Sequence, residues 1–374
     1  MKKTIVALAT LSAIGSAFAD VDVSGGIKLY GVIDQAVTQQ TLKNPSSTSG
    51  TTVAYTGMFA SQATSRFGFK GTRDLGDGMK ARIQGEIQVE PDNATQLPSK
   101  NRGTFVGLSK EGSGEVLLGT QETTAYEIFG MDVNGRVEYK PQVWRTTTTN
   151  DLQDRANNSL KYVSPDMAGF TVHLHKGFSD SGASPNTFSS YGVKFHKDEL
   201  KIAIVMDKLE NSAASYRFAG IINAGPSKEG TPGTGQSSTP LVYAGSGASE
   251  LKRQIGSVSY DFGSFSANYL YAKSYTTDLN VGSLTTNTVG IKVPFDKITV
   301  ATSFGKGTVD SYYTGTVATN AITKDGTLSD WTTGVYYNID KSTNIYFLYS
   351  SSSFNGGLQD GNNRTVALGA RYNF

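Results

Sequence analysis

Three histidines are all the imidazole this 374-residue chain offers, and two of them stand close together. His173 and His175 lie two apart in "TVHLHKGF", so an extended backbone puts both rings on one face. Such a pair could hold a metal ion, or one ring could act as a general base beside a serine or an aspartate. The sequence completes neither arrangement. No G-x-S-x-G nucleophile turn is present. With no cysteines there is no thiolate ligand, no thiol nucleophile and no disulfide framework. Inward-facing polar residues of a strand account for the histidines more simply, so neither an enzyme nor a metal or other cofactor is expected. The "SGG" at 24–26 opens no helix, which leaves a phosphate loop unsupported.

The remaining candidates are charges in strands. In "GMKARIQGEIQVE" (78–90), Met79, Ala81, Ile83, Ile87 and Val89 alternate with Lys80, Arg82, Gln84, Glu86, Gln88 and Glu90. Thirteen residues of two-fold pattern exceed a usual soluble strand and suit a tilted strand crossing a bilayer. In "GIKLYGVID", Ile27, Leu29, Gly31 and Ile33 oppose Lys28, Tyr30, Val32 and Asp34. Lys80, Arg82 and Arg102 take the polar parity, the side that faces inward if the strands close around water.

Sixteen such segments can be traced, from 24–38, 57–70 and 78–90 through to 343–352 and 363–374. Short turns such as "EGSG", "SPDMAG", "KDE" and "PFDK" follow the even-numbered strands. Long polar stretches, including 39–56, 122–156, 209–250 and 307–327, follow the odd-numbered ones. An even strand count with short turns at one end and long loops at the other is the asymmetry of an outer-membrane barrel. The lipid is the cause. Backbone groups in hydrocarbon must all be paired, and only a closed sheet does so without an edge. The expected fold is therefore all-β, a 16-stranded antiparallel transmembrane β-barrel. A mean hydropathy of −0.29 agrees, because only the lipid-facing half of each strand must be apolar.

"MKKTIVALATLSAIGSAFA" has two lysines, an apolar stretch and a small-x-small end at Ala17-Phe18-Ala19. It reads as a secretory signal over 1–19, leaving 20–374 as the barrel. Basic residues number 34 and acidic 32; the leader holds two of the lysines and no acid, so the exported part is neutral. A nucleic-acid partner, which needs a basic surplus, is not expected. Past the leader no apolar run is long enough for a membrane helix.

The chain closes on "VALGARYNF", with Val366, Leu368, Ala370, Tyr372 and Phe374 on one face of an extended strand. Aromatic residues near strand ends, among them Tyr260, Phe262, Tyr269, Tyr271 and Tyr337, suit the interfacial girdles of a barrel. A closing strand with its aromatic face on lipid gives Phe374 its place.

"LYGVID" (29–34), "SRFGFKG" (65–71), "DLGDGMKA" (74–81), "FVGLSKEGSGEVLLG" (105–119), "NNSLKYVSPDMAGF" (157–170) and "LGARYNF" (368–374) together resemble the general porins of Gram-negative bacteria, in particular the β-proteobacterial branch. The resemblance implies an outer-membrane homotrimer whose water-filled pores pass small hydrophilic solutes and ions by passive diffusion. It implies a third loop folded into the barrel, here 122–156, with Glu127 and Asp132 as its constriction acids. Arg66 and Arg155 fall where the family sets constriction arginines on the wall, to be joined on parity by Lys80, Arg82 and Arg102. It also implies that Tyr372 and Phe374 form the signal read by the barrel-assembly machinery before insertion into the bilayer. Two departures stand out. Thr120 and Gln121 follow "GEVLLG" where the family has arginine, and "IFGMDVNG" replaces its acidic loop tip, so the constriction should be less basic than the family's.

Overall fold

In the computed structural model the alternating segments become one continuous antiparallel wall. The structure describes residues 21–24, 26–43, 51–57, 62–91, 100–129, 131, 155–178, 187–210, 215–218, 242–246, 250–276, 283–314, 322–355 and 361–374. The leader 1–19 and Asp132 lie outside them.

A short β1 (Val21–Ser24) laps the foot of β2 (Ile27–Lys43). The second wall strand comes in two pieces, β3 (Thr51–Gly57) beside the upper part of β2 and β4 (Arg66–Gly76) beside the lower. Next are β5 (Met79–Gln88), β6 (Lys100–Lys110) and β7 (Gly114–Glu122), then a one-turn helix α1 (Thr124–Phe129). β8 (Arg155–Val163), β9 (Phe170–Gly177), β10 (Thr187–Lys197) and β11 (Leu200–Glu210) carry the wall onward. A small pair, β12 (Ser215–Phe218) with β13 (Val242–Ser246), stands beyond the end of β11, which itself pairs with β14 (Glu250–Asp261). The circuit is completed by β15 (Ser266–Thr276), β16 (Ser283–Phe295), β17 (Ile298–Thr314), β18 (Ile322–Asn338), β19 (Thr343–Asn355) and β20 (Gly361–Asn373). β20 pairs with Val32–Lys43 of β2, which closes a barrel of sixteen wall strands, as the alternation required.

Burial inverts that of a soluble protein. Val37, Ile204 and Leu368 are 61%, 58% and 63% exposed, while their neighbours Thr38, Ala203 and Ala367 are buried. Apolar residues look outward and polar ones inward, as a lipid exterior and a wet interior demand. Among the described residues no helix is long and apolar enough to cross a membrane; the strands do the crossing.

Several boundaries differ from the sequence expectation, the loop 39–56 among them, since β2 runs to Lys43 and β3 starts at Thr51. The segment 57–70 is not one strand: the chain leaves the ladder after Gly57 and rejoins at Arg66. Buried Asp34 holds the return path. Its carboxylate accepts the Ala63 N–H (3.0 Å) and the Tyr346 hydroxyl (2.5 Å), and its own N–H donates to Ser65 Oγ (2.9 Å). A charged side chain substitutes there for ladder partners, which strand propensity cannot register. The expected loop 307–327 is also shorter, because β17 and β18 continue as a paired ribbon to Thr314 and from Ile322, with a bulge between Val309 and Tyr312. At the opposite end the turns are tight. Asp77, Asp198 and Asp296 sit there at positive φ, a backbone region that short polar side chains tolerate.

A candidate selectivity filter

α1 begins the segment expected to fold inward. Thr123 caps it, its hydroxyl accepting the Tyr126 N–H at 3.2 Å. One face of α1, with Ala125, Tyr126 and Ile128, packs on Ala203 and Val205 of β11, Ile255 of β14 and Leu270 and Ala272 of β15. These wall residues are on the buried face of their strands, so the helix lies against the inner wall. Packing there presents Glu122, Tyr126 and Glu127 to the basic side of the barrel.

Facing them is a cavity of about 370 Å³, lined by Arg66, Lys70, Arg82, Arg102, Arg155 and Lys161 as its cations and Glu86, Glu122 and Glu127 as its acids. Cross-strand register sets up each group. Glu86 of β5 accepts from Arg102 Nε at 2.7 Å and from the Tyr30 hydroxyl at 3.0 Å, with Arg66 Nε at 3.4 Å. Arg82, farther down the same inward face, grips Glu115 of β7 at 3.0 Å and lies over the Phe105 ring. Arg155 stands opposite Glu122 in the β7–β8 ladder and bonds it at 2.8 Å, its guanidinium stacked over Tyr126.

Glu127 is held by Lys161 and Lys194 together. Burial pushes its carboxyl up, but the two ammonium groups and their hydrogen bonds overcome this and hold it well below the usual carboxylate range. The histidine pair borders this knot on the inner face. His173 Nδ1 is 3.9 Å from Glu127, and His175 Nε2 is 3.0 Å from the Ser159 hydroxyl. No cluster of three or more metal-ligating side chains gathers among the described residues.

Of the residues expected from sequence, Arg66, Arg82, Arg102, Arg155 and Glu127 converge on this one cavity. Lys80 shares their parity but sits at the turn end of β5, exposed and off the cavity lining. Asp132 lies outside the described residues. Glu86, Lys161 and Lys194 complete the constellation, and the alternation would have found them, since each has inward parity in its strand. Tyr372 and Phe374 are absent from the cavity lining; their rings are 6.1 Å apart, and Phe67, next to Arg66 in the chain, has its ring 6.5 Å from that of Phe374.

Known proteins carry the same architecture. The chain is 32% identical over 188 residues to outer membrane porin protein 32 of Delftia acidovorans, covering 48% of this chain and 50% of that protein. It is 30% identical over 198 residues to the major outer membrane protein P.IB of Neisseria gonorrhoeae, covering 52% and 53%. The matched segments thus span about half the length of those two relatives. A match at 24% identity spans the whole of this chain and the whole of an outer membrane porin protein of Bordetella pertussis. Among solved structures, the anion-selective porin from Comamonas acidovorans superposes with a TM-score of 0.69 at 17% identity, over 93% of this chain and 99% of that one. The profile of the family described as Gram-negative porin matches residues 4–374. With a closed sixteen-stranded wall, an inside-wet burial pattern and that match along nearly its whole length, this outer-membrane chain belongs to the Gram-negative porin family.

Proposed function

We propose that the chain is a general diffusion channel, a water-filled passage for small hydrophilic solutes and ions across the outer membrane, with the charged cavity as its filter. The observation that carries this reading is the convergence of charge of both signs on one cavity. Arginines and lysines of the strand wall meet Glu86 of β5, Glu122 at the end of β7 and Glu127 of α1 there. Charges of opposite sign lining a wet passage set up a local field. At a few ångströms and intermediate dielectric each pair interacts by about a few kcal/mol. Such a field favours polar, dipolar solutes over apolar ones, and weak binding keeps the passage open.

Six cations against three acids in the lining bias the passage toward anions. The segment that starts with α1 narrows the lumen as an inward-folded third loop, with Asp132 adding a further acid. Three copies assemble through their outward faces as a homotrimer, since cyclic closure suits an in-plane assembly. Tyr372 and Phe374 serve as the signal read by the barrel-assembly machinery. Planar-bilayer recording in a salt gradient tests the core of this. Ohmic conductance with a reversal potential of anionic sign is expected, and folded, heat-modifiable protein that passes no current would refute the channel.

A further inference from the structure

Most of the cavity lining stands on strands or on α1, but three uncharged residues, Gln62, Ala63 and Thr64, come from neither. They belong to the interruption of the second wall strand. β3 ends with Gly57 opposite Ala36, and β4 begins with Arg66 opposite Val32. The eight residues 58–65 thus pass a stretch of β2 that three residues, Ile33, Asp34 and Gln35, cover. Such a surplus has to leave the plane of the sheet, and the contacts of Gln62–Ser65 lie on its inner side.

Register marks the track. Asn344 of β19, Arg371 of β20 and Asp34 of β2 stand side by side in one row of the wall, with Arg371 and Asp34 buried on the inner face. Gln62 Nε2 donates to Asn344 Oδ1 at 2.6 Å, and the Ala63 N–H donates to Asp34 Oδ2 at 3.0 Å. β2 and β20 separate β4 from β19, three strand spacings or about 14 Å. A segment that touches Asn344 and ends on β4 therefore crosses the inside of two strands. Tyr346, two residues past Asn344, fastens it. Its ring lies over Gly369 of β20, where a Cβ would run into it, and its hydroxyl reaches Asp34 Oδ1 at 2.5 Å. A hydroxyl and a backbone N–H on one buried carboxylate make charge-assisted bonds, stronger than neutral ones. The strap in turn steadies a filter cation, since the Thr64 carbonyl accepts from the Arg66 guanidinium at 3.2 Å.

The strap and α1 rest on different arcs of the wall. Between β15, in the bed of α1, and β19, under the strap, stand β16, β17 and β18; the other way round, β4 to β10 intervene. Both elements nevertheless line the same cavity. We propose that Gln62–Thr64 are a second, uncharged constriction element, fastened by Asp34, Tyr346 and Asn344, which limits the size of the solute that passes while the charges act on its sign. This rests on the reading of the chain as a channel.

The chain has no cysteine, so an introduced thiol reports on its own position. Ala63→Cys protein is reconstituted in planar bilayers, and a bulky neutral methanethiosulfonate is added to channels that already conduct. Conductance should fall by about half or more, because the label stands in the passage itself, and should recover on reduction, with the reversal potential in a salt gradient unmoved. Asn344→Ala/Tyr346→Phe removes the fastening without changing a residue of the lining. It should raise conductance about 1.5-fold or more and admit larger neutral polyethylene glycols. Conductance of Ala63→Cys channels unchanged by the reagent, or an unfastened variant with wild-type conductance and size cut-off, overturns the proposal. If the double variant does not fold, the thiol decides alone, since its label is added after folding. Zero current from folded wild type would sink the channel and the strap with it; wild-type current that neither change affects sinks the strap only.

Discussion

Gly31 and Phe374 exchange two backbone hydrogen bonds, Gly31 N–H to Phe374 O at 2.8 Å and Phe374 N–H to Gly31 O at 3.1 Å. The Phe374 ring lies over the glycine, so closely that a Cβ at position 31 would be 2.7 Å from Cε1 of that ring. The last residue of the chain is thereby seated on its first long strand, with Phe67 and Tyr372 beside it. A single methyl-sized notch is what lets the barrel close on an aromatic terminus.

Filling that notch should therefore weaken closure. Gly31→Val forces the ring away and should destabilise the folded barrel by about 1–3 kcal/mol, the usual cost of overpacking. Phe374→Ala removes the ring and leaves room for the added valine, so the double variant should lose less than the sum of the two singles. The temperature at which heat-modifiable mobility is lost checks this, and strict additivity would contradict the contact.

Neutralising one filter charge should move ion preference in the direction of that charge. Arg155→Gln deletes a cation that lines the cavity and should lower the anion-to-cation permeability ratio. Glu86→Gln uncovers Arg66 and Arg102, and should raise it. Reversal potentials in a tenfold salt gradient measure both. Lys80→Gln, at the turn end and off the lining, should change neither.

Glu127 yields a pH prediction whose sign is set by its depressed pKa. A carboxyl held below its ordinary 4.5 stabilises the fold fully above that value, and this stability is lost as pH falls from there toward the folded-state pKa. The stability difference between wild type and Glu127→Gln should be flat above about pH 5.5 and shrink steadily in more acid solution. A difference that instead grows with acidity would exclude the pairing with Lys161 and Lys194. At neutral pH the Gln variant should be the less stable, by roughly 3 kcal/mol or more for breaking a buried pair.

α1 is anchored to the wall by Ile128, a fully buried side chain. Ile128→Ala should cost about 2–5 kcal/mol of packing at that contact. α1 should then be held less firmly against the inner wall. Single-channel records should show larger open-channel noise or higher mean conductance, and a trace identical to wild type would argue that α1 is held by other contacts.

Much of this was legible in the residues. Two-fold alternation along "GMKARIQGEIQVE" and "VALGARYNF" determined that the strands have one oily and one wet face. The even strand count with alternating short and long connections determined closure. Inward parity was enough to nominate Arg82 and Arg102. Periodicity is a local property, and a sheet that must satisfy every backbone group in lipid has few ways to obey it.

Only the tertiary structure decided which charges meet. That Glu86 sits between Arg66, Arg102 and Tyr30, and that Glu127 is clamped by Lys161 and Lys194, depends on register between strands and on where α1 packs. Neither is encoded in the spacing of any one segment. The break between β3 and β4, held by Asp34, and the bed for Phe374 on Gly31 are likewise contacts between residues far apart in the chain. Local pattern chooses the face on which a side chain stands; which distant partner it meets there is set by shear, curvature and close packing, which no single strand contains.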